Sequence, residues 1–221
     1  YCLQAELNTK FATKNEAEAF LETCKTTQFQ VDSIEKKPAL KTPAAPFTTS
    51  TLQQEASRKL GFSVSKTMSV AQRLYEAGHI TYMRTDSVNL SDLAINTTKE
   101  LIVNQFGKEY SKVRKFTSKT KGAQEAHEAI RPTYVQNEKV SSSSDEQRLY
   151  ELIRKRTIAS QMADAKLERT TVSINAPGSK GFVFLVKGEV VVFDGFLKMY
   201  IESTDDEQDE ENSSLLPPLA S

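Results

Sequence analysis

The sequence has no tryptophan, only two cysteines, and just eight glycines and seven prolines among 221 residues. It also has no apolar run approaching the ~20 residues of a membrane-spanning helix, so no such helix and no membrane partner are expected. No signal-peptide pattern opens the chain. Two cysteines are too few for a zinc ribbon. Cys2 and Cys24 fall in different expected elements and are expected as buried thiols of a reduced cytoplasm. Few glycines and prolines exclude a low-complexity chain. What remains, with 26% charged and 38% hydrophobic residues, is an ordinary globular composition, long enough for one large domain or two modest ones.

A net charge of zero excludes a chain that is basic throughout, yet the charges are segregated. Residues 47–133 carry 13 Lys/Arg against 8 Asp/Glu, a net of +5, while residues 202–211 carry seven acids and no base. A moderately basic middle permits a polyanionic partner without demanding one.

Residues 1–9 alternate, with Leu3, Ala5 and Leu7 on one face, as in a half-buried strand. The chain starts inside that run, as a piece cut from a longer protein would. "KNEAEAFLETCKT" is expected as a helix capped by Thr13 or Asn15, and "FQVDSIEKK" as a second strand. Pro38, Pro43 and Pro46 then mark an extended connection and a domain boundary. Beyond it the period is helical. Ser50 is expected to cap "TLQQEASRKLG", and Ser65 to begin "KTMSVAQRLYEAG", where Met68, Ala71, Leu74 and Tyr75 form one face. The pair resembles a helix-turn-helix unit.

"HITYM" reads as a brief β-like stretch, Ser91 caps a third helix running to Gly107, and residues 108–121 form a basic loop. Asp145 is expected to cap a long helix to about Met162. Strands "RTTVSINA", "GFVFLVKG" and "EVVVFDGFLKMYI" follow, joined by turns at "PGSKG" and "KGE". The fold class is therefore α+β, with strands at both chain ends and a mostly helical insertion. Residues 1–46 and 134–203 form a discontinuous β-rich domain, 47–133 the helical domain, and 204–221 an acidic loop or tail.

The chemistry concentrates in "GHITYMRTDSVNL", residues 78–90. A phenol is a weak nucleophile at neutral pH, since its pKa is about 10. A guanidinium beside it favours the phenolate and can grip a phosphate oxygen. In a β-like stretch residues i and i+2 share a side, so Tyr82 and Arg84 would face one phosphate together, with Asp86 placed to orient the arginine. Two readings stand on this fragment alone. One is an aromatic strand residue beside a surface ion pair; the other is a nucleophile beside its phosphate clamp.

The wider stretch "QRLYEAGHITYMRTDS" resembles the active-site signature of type IA DNA topoisomerases. Gln72, Leu74, Tyr75 and Glu76, then Ile80, Thr81, Tyr82, Arg84, Thr85 and Asp86, stand at the signature's positions. "AHEAIRPT", residues 126–133, is similar to the family's second motif, and "PFTTSTLQQEA", residues 46–56, to the start of its helical segment. The three occur in the family's order, and "ITYMRTDS" is most similar to its bacterial branch.

This resemblance implies the central fragment of an ATP-independent isomerase that relaxes negatively supercoiled DNA. Tyr82 would break one strand through a 5′-phosphotyrosine link, the other strand would pass, and the 3′ hydroxyl would reseal the break. Catalytic roles are implied for Tyr82, Arg84, His127 and Arg131. DNA contacts are expected from Arg84, Asp86 and Arg131, and from Lys115, Lys119 and Lys121 of the basic loop. Read without the family, His127 is either an exposed helix residue or a donor to a phosphate oxygen. Arg131, held before Pro132, has the restricted backbone that suits a fixed contact. The flanking strands correspond to the arch that holds the tyrosine domain over DNA.

The implied partners are DNA, single-stranded at the active site, and the missing domains of the same polypeptide. The implied location is the cytoplasm, at the bacterial nucleoid. The family binds Mg²⁺ through an Asp-x-Asp pair and a Glu of a TOPRIM domain, a pattern this chain lacks. No metal is therefore expected in the fragment, which alone should be inactive.

Two other classes compete. A tyrosine recombinase or type IB-like strand transferase also uses Tyr, His and Arg, but places its tyrosine last, whereas Tyr82 precedes His127 and Arg131. A non-catalytic DNA-binding module would read bases from helix 66–77, which offers mainly Lys66, Gln72 and Arg73.

Overall fold

A computed structural model describes residues 4–117, 127–176 and 181–200. The chain divides into two compact units. Among the described residues, one is built on those up to Leu40 and on Lys166–Phe193, the other on Lys41–Ala165 and on 194–200.

The first unit is a four-stranded sheet with one helix. Its strands are β1 (Glu6–Leu7), β2 (Gln30–Lys41), β3 (Ala165–Asn175) and β4 (Val183–Phe193), in the spatial order β1-β4-β3-β2. β3 and β4 run antiparallel, with Val172 opposite Val186 and both buried. Helix α1 (Lys14–Lys25) begins at Thr13, one of the two expected caps: the Thr13 hydroxyl accepts the Glu16 N–H, and the Glu16 carboxylate accepts the Thr13 N–H. Its Phe20 ring meets those of Phe11 and Phe182 at 5.2 and 5.1 Å. These aromatic contacts make up for a sheet core of few aliphatic side chains.

The turn expected at "KGE" does not form. Gly188 lies opposite Thr170 inside the continuous ladder, so "GFVFLVKG" and "EVVVF" are one strand. A glycine between charged residues reads as a turn, but an extended glycine costs only some entropy, and the ladder on both sides outweighs it. After the strand, Gly195–Lys198 forms a short 3₁₀ turn instead of more strand. Gly195 is required there. Its φ is +50°, and a Cβ would stand 2.5 Å from the carbonyl oxygens of Ala163 and Asp164.

The second unit is helical: α2 (Thr49–Leu60), α3 (Val64–Glu76), α4 (Asp92–Phe106) and α5 (Ser144–Ser160). Three helix starts differ from the sequence expectation. Thr48, not Ser50, caps α2: its hydroxyl accepts the Thr51 N–H, while the Thr51 hydroxyl accepts the Thr48 N–H at 2.9 Å. Ser63, not Ser65, caps α3, and Ser143 precedes α5 instead of Asp145. Runs such as "TTST" and "SVS" offer several equivalent hydroxyls, and only the backbone that turns extended decides among them. Ser91 caps α4 as expected, and Gly61 ends α2 in the left-handed region.

Leu52, Ala56, Val70, Ala71, Leu74 and Ile102 meet Leu149, Ile153 and Ile158 of α5 in one core. The helical unit therefore reaches Ala165 and does not stop at the expected limit of 133. The pattern of α5 shows that it has an apolar face but not which elements cover it. The same helix buries two arginines. Arg154 Nε donates to the Val135 carbonyl at 2.7 Å; Arg156 Nε donates to that of Ala45 at 2.7 Å and lies over the Phe47 ring.

Candidate active site

Three segments distant in sequence converge at the start of α2. Phe47 bridges to Ile130 and Ile80 to Pro132, both antiparallel. The Ile130 N–H donates to the Phe47 carbonyl at 2.8 Å, the Thr81 N–H to that of Arg131 at 2.9 Å, and the Thr133 N–H to that of His79 at 2.9 Å. Two threonine hydroxyls complete the brace. Thr81 Oγ1 donates to the Ala129 carbonyl at 2.7 Å and accepts the Arg131 N–H at 3.0 Å. Thr49 Oγ1 donates to the Met83 carbonyl at 2.8 Å and accepts the Thr85 N–H at 2.9 Å.

The backbone is thus tied at 81, 83 and 85, on both sides of Tyr82 and of Arg84. "HITYM" is not a strand, as was expected: it carries one isolated bridge, from Ile80 to Pro132. Its bridging backbone partners lie in residues 131–133, and beyond Thr81 a side chain, the Thr49 hydroxyl on the Met83 carbonyl, takes over, so no ladder propagates. Sequence reasoning missed Thr49 and Thr81 as braces. Their only signal was threonine at the first helical position and in mid-stretch, where a hydroxyl can bond backbone.

Along the braced stretch the sides alternate as a period of two requires. Met83 is 1% exposed and belongs to the core, while Tyr82 is 42% exposed and Arg84 is exposed too. Among the described residues the Arg84 side chain makes no hydrogen bond or ion pair, and Asp86, also exposed, does not pair with it. The expected orienting contact is absent here. The Tyr75 ring stands edge-on to that of Tyr82, centroids 5.3 Å apart and planes at 65°. Tyr75 itself is 40% exposed, outside the core face of α3 where its spacing had placed it.

The second motif is more tightly bound than its sequence suggested. Arg131 Nε and Nη2 donate to Glu128 Oε2 at 3.1 and 2.6 Å, and Nη1 donates to the Pro132 carbonyl at 2.9 Å. Glu128 Oε1 accepts the Ser91 N–H at 2.7 Å, so the pair ties this segment to the start of α4. Arg131 is largely buried, not an open phosphate clamp. Glu128 was not singled out from sequence, although an acid three residues before Arg131 was a signal for the pair. His127 is exposed at the segment's start. Lys115 pairs with Asp92 at 2.8 Å, both fully at the surface. Lys119 and Lys121 lie outside the described residues.

The side chains that a base-reading α3 would use are committed elsewhere. Lys66 pairs with Asp145 at 2.8 Å, Arg73 with Glu146 at 2.7 Å, and Gln72 donates to Glu76 at 2.6 Å. Among the described residues no group of three or more His, Cys, Asp or Glu could hold a metal ion. The described residues therefore do not fit the implied Mg²⁺.

Burial raises the pKa of Glu128, but the hydrogen bonds from Ser91 and Arg131 and the Arg131 charge outweigh it and hold the carboxyl below its ordinary value. Asp164 behaves alike: burial is opposed and overcome by Lys112 and Arg114. Both groups bind protons more weakly folded than unfolded. Their stabilisation is complete above the unfolded carboxylate pKa of about 4 and is lost as pH falls through the depressed folded values. The thermal midpoint should therefore hold from about pH 7 to 5 and drop below about 4. The double variant Glu128→Gln, Asp164→Asn should start lower and lose less between those pH values; an equally steep drop would contradict this account.

An exposed phenol beside an uncommitted guanidinium, both on a braced backbone, is what a tyrosine nucleophile for phosphodiesters needs. The family model described as DNA topoisomerase matches residues 3–221. DNA topoisomerase 1 of Zymomonas mobilis is 52% identical over 197 residues, covering 88% of this chain and 16% of its own length. That of Rickettsia bellii is 47% identical over 226 residues, covering 95% and 28%. The structure of full-length topoisomerase I from Thermotoga maritima superposes with a TM-score of 0.76 at 38% identity, over 92% of this chain and 35% of that one. The chain belongs to the type IA DNA topoisomerase family. It spans less than a third of the curated relatives it matches. Membership sets aside the recombinase and type IB-like reading.

Proposed function

We propose that this chain is the tyrosine-bearing central part of an enzyme that relaxes negatively supercoiled DNA by breaking and resealing one strand. The observation that carries this is the outward pair Tyr82 and Arg84, held by bonds to the backbone at 81, 83 and 85. Arg84 takes a non-bridging phosphate oxygen and favours the phenolate. The Tyr82 oxygen, having lost its proton, attacks phosphorus; the bond to the 3′ oxygen breaks, and that oxygen takes up a proton. The 5′-phosphotyrosine keeps the ester bond energy, so resealing by the 3′ hydroxyl needs no nucleotide hydrolysis.

In this reading His127 donates to a phosphate oxygen, and Asp86 orients Arg84 once a single strand is bound. Arg131, forked by Glu128, has fewer N–H groups left for DNA, and its side chain's main work is to tie the second motif through Glu128 to the Ser91 N–H. Lys115, Lys119 and Lys121 add backbone contacts. The sheet unit corresponds to the arch, and the protein works on DNA in the bacterial cytoplasm. Metal-binding acids belong to other parts of the polypeptide.

The reading is tested in two halves. The 221-residue chain should leave supercoiled plasmid unrelaxed at any Mg²⁺ concentration. The full-length parent, quenched in denaturant on end-labelled single strands, should carry protein on the 5′ end of the break. Relaxation by the isolated chain, or protein on the 3′ end, would contradict it.

A further inference from the structure

The brace fixes the backbone around Tyr82 but leaves its hydroxyl without a bond that would fix the side chain. The ring is 42% exposed, and no hydrogen bond to its hydroxyl occurs among the described residues. A half-exposed tyrosine whose hydroxyl is unbonded can sample more than one χ1 well, and only one aims the oxygen at a bound phosphate. The Tyr75 ring, edge-on at 5.3 Å and 65°, is the aromatic contact the ring does have.

Tyr75 is itself well anchored. Leu74, its neighbour, is buried, and the last turn of α3 closes behind it: the Gly78 N–H donates to the Tyr75 carbonyl at 2.8 Å and the His79 N–H to that of Leu74 at 2.9 Å. Gly78 takes a φ of +74°, the left-handed closure that lets the chain double back within three residues and bring Tyr82 beside α3. An exposed aromatic so placed adds nothing to the core of the helical unit.

We propose that Tyr75 is a positioning residue for the nucleophile. Its ring selects the rotamer of Tyr82 in which the phenol oxygen meets the phosphate. An edge-to-face pair favours one arrangement by roughly three- to tenfold. Losing it lowers the fraction of enzyme ready to react, and so the rate of the chemical step, while DNA affinity is unchanged. The inference rests on Tyr82 being the nucleophile.

The test uses the full-length parent and single-turnover cleavage of an end-labelled single strand, with Tyr75→Phe, Tyr75→Leu and Tyr75→Gln. Tyr75→Phe keeps the ring and should cleave within about twofold of the parent. Both ring-less variants should cleave roughly three- to tenfold more slowly at saturating DNA, with the half-saturating DNA concentration and the thermal midpoint unchanged. Parent-like rates in both ring-less variants would overturn the proposal, as would a defect confined to the half-saturating concentration, which marks a base platform. Slowing by Tyr75→Phe equal to that of Tyr75→Leu would overturn it too, because the hydroxyl would then be the active group. Failure of the parent to form any adduct through Tyr82 would instead sink the reading of Tyr82, a separate outcome.

Discussion

Replacing Tyr82 by Phe in the full-length parent is expected to abolish the covalent DNA adduct and lower relaxation by on the order of 10⁴-fold or more. The fold should be untouched. The ring remains to meet Tyr75, and the lost hydroxyl has no hydrogen-bond partner among the described residues, so stability should change by less than about 1 kcal/mol. If Tyr82 were merely a rim aromatic, relaxation would survive along with the fold. Gel-resolved adduct yield and a thermal melt on the same sample separate the two cases. An adduct formed by the Phe variant contradicts the assignment.

Arg84 and Arg131 should respond in opposite ways to Arg→Lys. Arg84 is exposed and uncommitted, so its replacement should leave stability within about 0.5 kcal/mol. Cleavage should nevertheless slow by about 10²-fold, because a lysine keeps the charge but loses the planar two-pronged contact at the phosphate. Arg131 forks Glu128 and reaches the Pro132 carbonyl, bonds that a lysine cannot reproduce together. Its replacement should cost roughly 1–3 kcal/mol of stability, with the larger share of any activity loss following from a loosened second motif. Single-turnover cleavage plotted against thermal midpoint displays the contrast. Equal effects of the two substitutions on both axes would show that the burial of Arg131 does not decide its role.

The sequence placed the exposed Tyr82 and Arg84 more readily than it placed the packing. Alternation through Thr81, Tyr82, Met83 and Arg84 correctly left Tyr82 and Arg84 exposed about a buried Met83, since a period of two survives even where one bridge and side-chain bonds replace a ladder. Hydroxyl-rich starts such as "TTST" signalled a cap but not which residue supplied it. The ion pair of Arg131 with Glu128 was visible in spacing, yet its burial depended on Ser91 arriving from α4, a contact across 37 positions that no local pattern contains. Tyr75 shows the reverse error. Helical spacing placed it in the core with Leu74, but the Gly78 closure turns the following chain against its ring and leaves it at the surface. The placement of α5 failed for the same reason: amphipathic periodicity states that a face must be covered, not by what.

The most direct measurement is the site of DNA attachment. Adduct trapped from the parent can be digested with trypsin, which cuts after Arg73 and Arg84 and releases residues 74–84, "LYEAGHITYMR". That peptide contains both tyrosines of the edge-on pair, so fragmentation in a mass spectrometer must place the residual nucleotide on one or the other. The account predicts the added mass on Tyr82, joined through a 5′ phosphate, with Tyr75 unmodified. Mass on Tyr75, or on any peptide outside residues 74–84, would contradict it.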